Sequence, residues 1–430
     1  MKLSEKSVKM RLTAKSLLVL GALSAQSAAY IPGDNQQQPL VPGNPVSHYE
    51  VVHTHTAVED APSYRTPLLS LHRNLVNVPS ISGSEGPVAH VLEKLLTNLN
   101  YTVQLQRIPS SADGDDAEPR YNVLAWPGTN STRTLHGRVL ITSHIDVVPP
   151  YLPYALNRTT IPPSEAVNFT ALHPSTLISG RGSVDAKASV AAQITATNLL
   201  LESGALDPES VVLLFVVGEE TSGIGMKFFS ASLSNHSIFS PDPFGTSSSP
   251  SSQTPDRPQF KSAIFGEPTT SLLACGHKGI TTLLLTATGR AGHSGYPWLG
   301  RSATSLLVRA LNKLLDADLG SSERYGNTTV NVGVIEGGVA ANVIAKEASA
   351  RVAIRIAVGD QKTGAGVVVR DDGCELRDGR SNLEGDHVSY LYGPGSILVA
   401  HGDDEGLTVG ELEEAVEGYK RLIKHAVEAS

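Results

Sequence analysis

The chain has 430 residues, of which 40% are hydrophobic and 18% charged, and its formal net charge is −8. A chain of this length and hydrophobic content can bury the cores of two domains, which excludes a disordered or fibrous protein. The negative charge argues against nucleic acid and anionic membranes as partners. No apolar run after the N-terminus reaches the length that spans a bilayer, so we expect no integral membrane protein.

The N-terminus has the pattern of an export signal. Basic residues between Lys2 and Lys15 precede an apolar stretch at 16–23, and Ser27-Ala-Ala29 forms a small-residue cleavage site. The segment carries five basic residues and one acid, so its removal after Ala29 would change the formal net charge from −8 to −12. We predict a signal peptide at 1–29, secretion to the extracellular space, and a disordered or cleaved leader at 30–64.

Glycosylation signals agree with export, because Asn-x-Ser/Thr sequons accept N-linked glycans in secreted proteins. The sequons begin at Asn100, Asn130, Asn157, Asn168, Asn235 and Asn327. Two of them lie in a Pro-rich stretch at 149–175, and a third opens a Ser/Pro-rich run at 234–258. Such biased composition cannot build a core, so both stretches are predicted to be surface loops.

The chain has two cysteines, Cys275 and Cys374. Neither has the spacing of a metal site, so a metal would have to be bound by histidines and carboxylates. In a secreted chain the two could form a disulfide or remain free thiols, and both alternatives stay open.

Acids and histidines stand at the ends of successive hydrophobic runs, which begin near residues 139, 211 and 262. The residues in this position are His144, Asp146, Glu219, Glu220 and Glu267. Asp185 opens an apolar helical stretch, and His401 follows a Gly-Pro-Gly turn. Strands that alternate with helices indicate a mostly parallel sheet, whose ligands bind outside the carboxyl ends of the strands. We therefore expect these side chains to converge.

Each of these residues also has an ordinary explanation when it is taken singly. Asp185 could be a helix N-cap, the adjacent glutamates could be a solvated face, and His401 could be an exposed histidine. Together they form the cluster of histidines and acids that a metal site requires.

Strand and helix patterns of a different kind lie between Glu267 and His401. Alternating strands are predicted at 278–288, 328–335 and 348–358, and a helix at 302–315. We predict an inserted α+β unit at 278–375, which divides the domain that carries the candidate metal residues into 65–277 and 376–430. The stretch 359–389 lacks a clear strand that would return the chain to this larger domain.

Helix signals are clear at both ends of the predicted larger domain. Thr66-Pro67 opens an amphipathic helix with proline predicted at its first position. Thr408 and Glu411 have the spacing of a capping box. The apolar residues expected along one face of the helix that follows are Leu412, Val416, Tyr419 and Leu422.

Several segments resemble the co-catalytic zinc metallopeptidases that include glutamate carboxypeptidase, aminoacylase, carboxypeptidase S and succinyl-diaminopimelate desuccinylase. The segments are Ser143-His-Ile-Asp-Val-Val148, Gly180-Arg-Gly-Ser-Val-Asp-Ala-Lys187, Gly218-Glu-Glu-Thr-Ser-Gly223, Gly266-Glu-Pro268, Gly289-Arg-Ala-Gly-His-Ser-Gly295 and Gly393-Pro-Gly-Ser396. The resemblance covers about residues 65–425. It implies an α/β fold, a mostly parallel-sheet catalytic domain with an inserted α+β lid or dimerisation domain through which two copies could pair.

The resemblance also implies two zinc ions per chain. At the matching positions, His144 and Glu267 would hold one zinc, and Glu220 and His401 would hold the other. Asp185 would bridge the two ions, since a shared carboxylate keeps two metals at the spacing that clamps an attacking water and a carbonyl oxygen.

The same matches imply roles in catalysis. Glu219 would be the general base, and Asp146 would orient the ring of His144. Because successive side chains of an extended segment point to opposite sides, Glu220 could bind metal while Glu219 faces the substrate.

Three residues of the predicted lid match positions that contact substrate. By this resemblance His293 would stabilise the oxyanion, and Asn342 and Arg355 would hold a substrate carboxylate, which suits a guanidinium that donates two parallel hydrogen bonds. A surface residue on an edge strand is the alternative for Arg355.

The sequence thus predicts a secreted zinc carboxypeptidase that acts on peptides. Glu267, in place of aspartate, resembles the carboxypeptidase and aminoacylase branch more than the aminopeptidases. An amidohydrolase of N-acyl amino acids, an aminopeptidase and a non-catalytic binding protein are the alternatives. The presence of Glu219 argues against the last of these, because a binding protein needs no general base.

Overall fold

The computed structural model describes residues 8–11, 61–109, 118–129, 134–234, 260–274, 276–323, 325–358, 368–369 and 388–429. The chain divides into a larger unit, Thr54–Cys275 with Asp372–Ser430, and an inserted unit, Gly276–Asp371 with Met1–His53. Cys275, Cys374 and the predicted lid end at 375 lie outside the described residues. In the ranges given above, no helix combines the length and the apolar character needed to cross a membrane.

Helices and strands alternate along much of the described chain. The helices are α1 (Arg65–Val76), α2 (Gly86–Asn98), α3 (Lys187–Glu202), α4 (Ile224–Ser234), α5 (Ala303–Leu315) and α6 (Val409–Glu428). The strands are β1 (Val8–Arg11), β2 (Tyr101–Ile108), β3 (Arg120–Pro127), β4 (Val139–His144), β5 (Ala155–Leu156), β6 (Thr159–Thr160), β7 (Leu177–Ser179), β8 (Val211–Val216), β9 (Ser262–Gly266), β10 (Gly276–His277), β11 (Gly279–Thr288), β12 (Gly292–His293), β13 (Ser321–Ser322), β14 (Gly326–Asn327), β15 (Thr329–Gly337), β16 (Val343–Ile344), β17 (Glu347–Ile356), β18 (Val368–Val369), β19 (Val388–Tyr392) and β20 (Gly406–Thr408).

The larger unit is built on a six-stranded sheet with the order β19-β9-β4-β8-β3-β2. Strands β19, β9, β4 and β8 are parallel, and β3 and β2 are added antiparallel. Every residue of β4 and β8 is buried, as is typical of parallel strands that are covered on both faces. The predicted mostly parallel sheet is therefore confirmed.

Hydrophobic cores cover both faces of this sheet. Ile141 and Leu213 belong to one core with residues of α1, α2, α3 and α6, whereas Leu140 and Leu214 belong to another core with residues of α4. The two cores use alternate positions of the same strands, because successive strand side chains point to opposite faces. Each fully buried Leu contributes about 1.5–3 kcal/mol to stability.

The C-terminal helix α6 begins as the sequence predicts. Thr408 Oγ1 accepts a hydrogen bond from the backbone N–H of Glu411 (3.2 Å), and the Glu411 side chain accepts one from the N–H of Thr408 (2.7 Å). The predicted apolar face is buried: Leu412, Val416, Tyr419 and Leu422. The capping box and the packing face of α6 are both confirmed.

The inserted unit contains an antiparallel sheet with the order β1-β11-β17-β15. Its core is formed by one face of β11 and β17 with buried residues of α5. Ser302 caps α5, since its Oγ accepts a hydrogen bond from the N–H of Ser305 (3.2 Å). The predicted α+β character is confirmed. Strand β1 falls within the predicted signal peptide, and export stays a prediction.

The Pro-rich stretch at 149–175 is more ordered than predicted. It contains β5 and β6, and pairing of β5 with β7 supplies backbone partners that composition alone does not reveal. The other predicted loop, 234–258, lies outside the described residues apart from Ser234. Among the sequons, Asn100, Asn157, Asn168 and Asn327 are exposed, and Asn130 and Asn235 also lie outside the described residues.

Candidate metal centre

The parallel strands bring candidate ligands to one edge of the large sheet. His144 is the last residue of β4, Glu267 directly follows β9, and Glu220 lies in the turn that follows β8. Because β9, β4 and β8 are adjacent and parallel, their carboxyl ends meet. His401 comes from the segment after β19, the parallel neighbour of β9, and Asp185 precedes α3.

His144, Asp185 and Glu267 form the first group of potential ligands. His144 Nε2 lies 3.0 Å from Asp185 Oδ1 and 3.8 Å from Glu267 Oε1. The His144 side chain is buried, whereas the Glu267 side chain keeps 31% of its surface exposed. The three ligand atoms lie within 4.8 Å of one another, which suits a single metal ion.

Asp185, Glu220 and His401 form the second group. His401 Nε2 lies 3.2 Å from Asp185 Oδ2 and 2.9 Å from Glu220 Oε2. Asp185 thus presents Oδ1 to His144 and Oδ2 to His401. One carboxylate is shared by both groups through different oxygens, which is the arrangement expected of a bridging ligand.

The carboxylates of the two groups repel one another. Burial and the charges of Asp185 and Glu219 raise the pKa of Glu267 well above its usual range, despite the attraction of His144. Burial also raises the pKa of Glu220. Acids packed this closely need compensating positive charge, which a divalent cation supplies.

The carboxylates favour the protonated, positively charged form of both histidines. Hydrogen bonds to Asp185 and Glu220 raise the pKa of His401 to about 10. Burial alone would lower the pKa of His144, but the nearby carboxylates of Asp146 and Asp185 outweigh burial and raise it. Protonated histidines and a bound metal are alternative ways to balance these carboxylates, because a ligating histidine is neutral.

The donor set fits a zinc-type metal. Each group offers imidazole nitrogen and carboxylate oxygen from three residues, and three protein ligands leave a coordination position for water or substrate. The five residues brought together are those that the sequence analysis singled out as ligands: His144, Asp185, Glu220, Glu267 and His401.

Asp146 contacts both His144 and the turn that carries the two glutamates, and the role in orienting the His144 ring stays a prediction. The closest acceptor for His144 Nδ1 is the backbone carbonyl of Asp146 (2.9 Å), and the Asp146 carboxylate is 3.6 Å away. That carboxylate accepts hydrogen bonds from the N–H groups of Glu219 (3.0 Å) and Glu220 (3.2 Å) and from the Ser82 hydroxyl (2.7 Å). Asp146 therefore holds the turn that carries the two glutamates, and Ser82 supports it.

The prediction that Glu219 and Glu220 lie in an extended segment is wrong. They lie in a turn, not in an extended segment, and Gly218 opens this turn with φ +68°. The N–H of Gly223 closes it on the Gly218 carbonyl (2.7 Å). The Glu219 side chain is exposed, whereas that of Glu220 is largely buried and bonded to His401. The turn, held by Asp146, separates the two side chains.

The three residues that are predicted to contact substrate, His293, Asn342 and Arg355, lie in the inserted unit, and their side chains are exposed. His293 on β12 pairs with Val343 on β16, and the N–H of Ser294 donates to the carbonyl of Asn342 (3.1 Å), so His293 and Asn342 are neighbours. Arg355 is an exposed residue of β17. The proposed contacts of these residues with substrate stay predictions.

Sequence reasoning missed Ser82 and Glu405, which contact the residues of the metal centre. Ser82 donates to Asp146 (2.7 Å), and Glu405 accepts from the backbone N–H of Asp185 (3.1 Å). Neither contact has a local sequence signal, because the partners are far apart in the chain. The position of Glu405, four residues after His401, was the one available hint.

Comparisons with known sequences point to one peptidase family. Residues 275–365 match the M20 peptidase dimerisation domain. A peptidase M20 domain-containing protein of Sordaria macrospora is 51% identical to this chain, over 86% of this chain and 87% of that protein. A probable carboxypeptidase of Aspergillus niger is 42% identical, over 84% of this chain and 90% of that protein.

Comparisons with solved structures show that the fold is shared. A dipeptidase of Saccharomyces cerevisiae matches with a TM-score of 0.60 and 13% identity, over 86% of this chain and 98% of that chain. An M20 family metallo-carboxypeptidase of Sulfolobus solfataricus matches with a TM-score of 0.53 and 16% identity, over 84% of this chain and 99% of that chain.

Proposed function

Because this chain belongs to the M20 family of peptidases, we propose that it is a secreted carboxypeptidase with two zinc ions per chain. The observation that carries the metal assignment is the sharing of Asp185, whose two oxygens face His144 (3.0 Å) and His401 (3.2 Å). When bound, zinc ions would acidify the attacking water and polarise the scissile carbonyl.

In this proposal Glu219 is the general base. Its side chain is exposed, and it is close enough to Glu267 for its charge to raise the pKa of that residue. A carboxylate in this position can accept a proton from the attacking water and pass it to the leaving amine. Asp146 keeps the base in place through the N–H of Glu219 (3.0 Å).

Two observations support a preference of the enzyme for C-terminal residues: the names of its relatives and the identity of the proposed metal ligand Glu267. The relatives of Aspergillus niger and Aspergillus flavus are named probable carboxypeptidases, and they are 42% and 38% identical to this chain. Glu267 stands where aspartate would resemble the aminopeptidases. We propose that peptides are the substrates and that N-acyl amino acids are the second candidate class.

Hydrolysis of matched blocked dipeptides tests this function. Zinc-loaded protein is incubated with N-acyl dipeptides that carry either a free or an amidated C-terminus, with unblocked tripeptides and with N-acyl amino acids, and the products are identified by mass spectrometry. We expect the C-terminal residue to be released much faster from the free acids than from the amides. Removal of N-terminal residues first would indicate an aminopeptidase, and cleavage restricted to N-acyl amino acids would indicate an amidohydrolase. Zinc binding without hydrolysis would indicate a binding protein.

Arg355→Ala tests how the substrate carboxylate is held. We expect the Michaelis constant for free-acid peptides to rise about tenfold or more, since a hydrogen bond to a charged group contributes about 1.5–3 kcal/mol. Amidated peptides should be affected far less. Arg351→Ala is the matched control, because Arg351 is exposed on the same face of β17. An equal effect of the two substitutions would contradict the role of Arg355.

Export and dimerisation complete the proposal. The described sequons Asn100, Asn157, Asn168 and Asn327 are exposed, which supports passage through a glycosylating compartment. The match of 275–365 to a dimerisation domain supports a homodimer formed through the inserted unit. Glycosidase treatment of protein secreted by its host and light scattering of the purified protein test the two parts separately.

A further inference from the structure

A buried ion pair lies behind the metal centre and joins two of its loops. Arg181 Nη1 lies 2.6 Å from Glu405 Oε2, and the two side chains are only 1% and 0% exposed. Arg181 belongs to the segment that leads to Asp185, and Glu405 belongs to the segment that follows His401. Charges buried this completely need several hydrogen bonds, because a buried ion that lacks partners costs several kcal/mol.

Glu405 holds the backbone of the Asp185 loop. Its Oε1 accepts hydrogen bonds from the N–H groups of Gly182 (2.9 Å), Val184 (3.1 Å) and Asp185 (3.1 Å). Converging backbone N–H groups of this kind form an anion-binding concavity. Gly182 allows the concavity to form, because it has φ +84° and a Cβ atom there would lie 2.7 Å from Val147 Cγ1.

Arg181 holds the backbone of the His401 loop. Its Nη1 donates to the carbonyl of Gly402 (3.1 Å) and its Nη2 to the carbonyl of His401 (3.4 Å). His401 has φ +66°, a conformation that a residue other than glycine adopts at a cost. The guanidinium therefore supports a loop that the backbone of His401 alone would not favour.

We propose that Glu405 and Arg181 are positioning residues, which fix Asp185 and His401 relative to each other and so set the metal affinity of the group Asp185–Glu220–His401. The inference rests on the two-metal site proposed above. Neither residue belongs to either ligand group. Their effect passes through the backbones of the two ligands, and supporting contacts of this kind typically change metal affinity about 10- to 100-fold.

Glu405→Gln is the test substitution. A glutamine oxygen can still accept from the N–H groups of the Asp185 loop, but its NH2 group faces Arg181 and leaves the guanidinium without a charge partner. Glu413→Gln is the matched control. Glu413 forms a largely buried ion pair with Arg65, and this pair joins α1 to α6.

The experiment measures zinc stoichiometry and affinity by chelator competition, at a temperature where circular dichroism shows all proteins folded. Hydrogen exchange of the peptide 180–186 is measured in parallel on metal-free protein. We expect Glu405→Gln to bind one of its two zinc ions about 10- to 100-fold more weakly and to exchange faster in this peptide. Glu413→Gln should match the wild type in both measurements.

Other results of this experiment would contradict either the positioning role of Glu405 or the two-metal site. The inference would be overturned if Glu405→Gln kept either the zinc affinity or the hydrogen exchange of the wild type. An equal loss of zinc affinity in Glu413→Gln would overturn it as well. Wild-type protein that binds no metal would refute the two-metal site, while the exchange measurement would still decide the coupling of the loops. If Glu405→Gln fails to fold, Arg181→Lys replaces it: lysine keeps the charge but cannot reach both carbonyls, and the same selective loss is expected.

Discussion

Glu219 and Glu220 are neighbours in the chain with different surroundings. Glu220 Oε2 lies 2.9 Å from His401 Nε2, and its side chain is 6% exposed. Glu219 is exposed and is held through its backbone by Asp146 (3.0 Å). The buried glutamate suits a metal ligand, and the exposed one suits a group that exchanges protons with water and substrate.

Glu219→Gln should therefore keep metal and lose turnover. The amide has the same shape as the acid but cannot accept a proton, so we expect kcat to fall about 10²- to 10⁴-fold. Turnover and zinc content are measured on the same preparation. Glu220→Gln is the paired control and should lose zinc as well as turnover. Equal loss of zinc in the two variants would make Glu219 a ligand.

His72 gives the larger unit a specific sensitivity to acid. It is completely buried in α1, where it bonds the Ser183 carbonyl (3.0 Å), and burial lowers the pKa of its ring to about 4. The ordinary pKa is about 6.5, so between these values the unfolded chain binds a proton that the folded chain does not. Its contribution to stability is full above pH ~6.5 and falls as the pH drops towards ~4.

His72→Gln should remove this part of the pH dependence. Between pH 7 and 4.5 we expect the free energy of unfolding of the wild type to fall by about 2–3 kcal/mol more than that of the variant. Urea unfolding at the two pH values measures the difference. The same loss in both proteins would show that His72 is not the group responsible.

Individual elements differ in how far the sequence predicts them. Strands β4, β8 and β9 are largely apolar, which is typical of buried parallel strands, and the candidate ligands at their ends were found in this way. Strand β19 was missed, because its five residues follow a charged and Gly-rich stretch. The turn at Glu219 was missed as well, since the Asp146 carboxylate that holds it acts across the fold.

The cap of α6 is an element with a direct test. Thr408→Ala removes the hydroxyl that accepts from the N–H of Glu411 (3.2 Å), and we expect a loss of about 1 kcal/mol in the free energy of unfolding. Urea or thermal unfolding measures the loss. Thr408→Ser keeps the hydroxyl and should retain most of the stability. Equal stability of the Ala and Ser variants would show that the cap contributes little.

For the whole molecule, metal binding should contribute to folding stability. A ligand that binds only the folded state stabilises it by about 2.7 kcal/mol at a free concentration one hundred times its Kd. We expect elemental analysis to find about two zinc ions per chain, as the two ligand groups imply. Chelation should lower the Tm by several degrees, and added zinc should restore it.

His401→Ala and His293→Ala separate this effect from unspecific effects of the chelator. The first removes a proposed ligand and should shrink the shift in Tm, whereas the second changes only the inserted unit and should leave the shift unchanged. An active wild-type preparation without zinc above background would contradict the two-zinc proposal.

The insertion between Glu267 and His401 has a consequence for biosynthesis. The ribosome makes β9 before the inserted unit and β19 after it, yet these strands pair side by side, with Val388 next to Ser262. A nascent chain therefore carries Asp185, Glu220 and Glu267 long before His401 emerges. The second ligand group stays incomplete until the inserted unit has been translated. Under the two-zinc proposal, a partly made copy therefore lacks one ligand of its second zinc ion, and we expect it to hydrolyse no peptides until synthesis has passed His401.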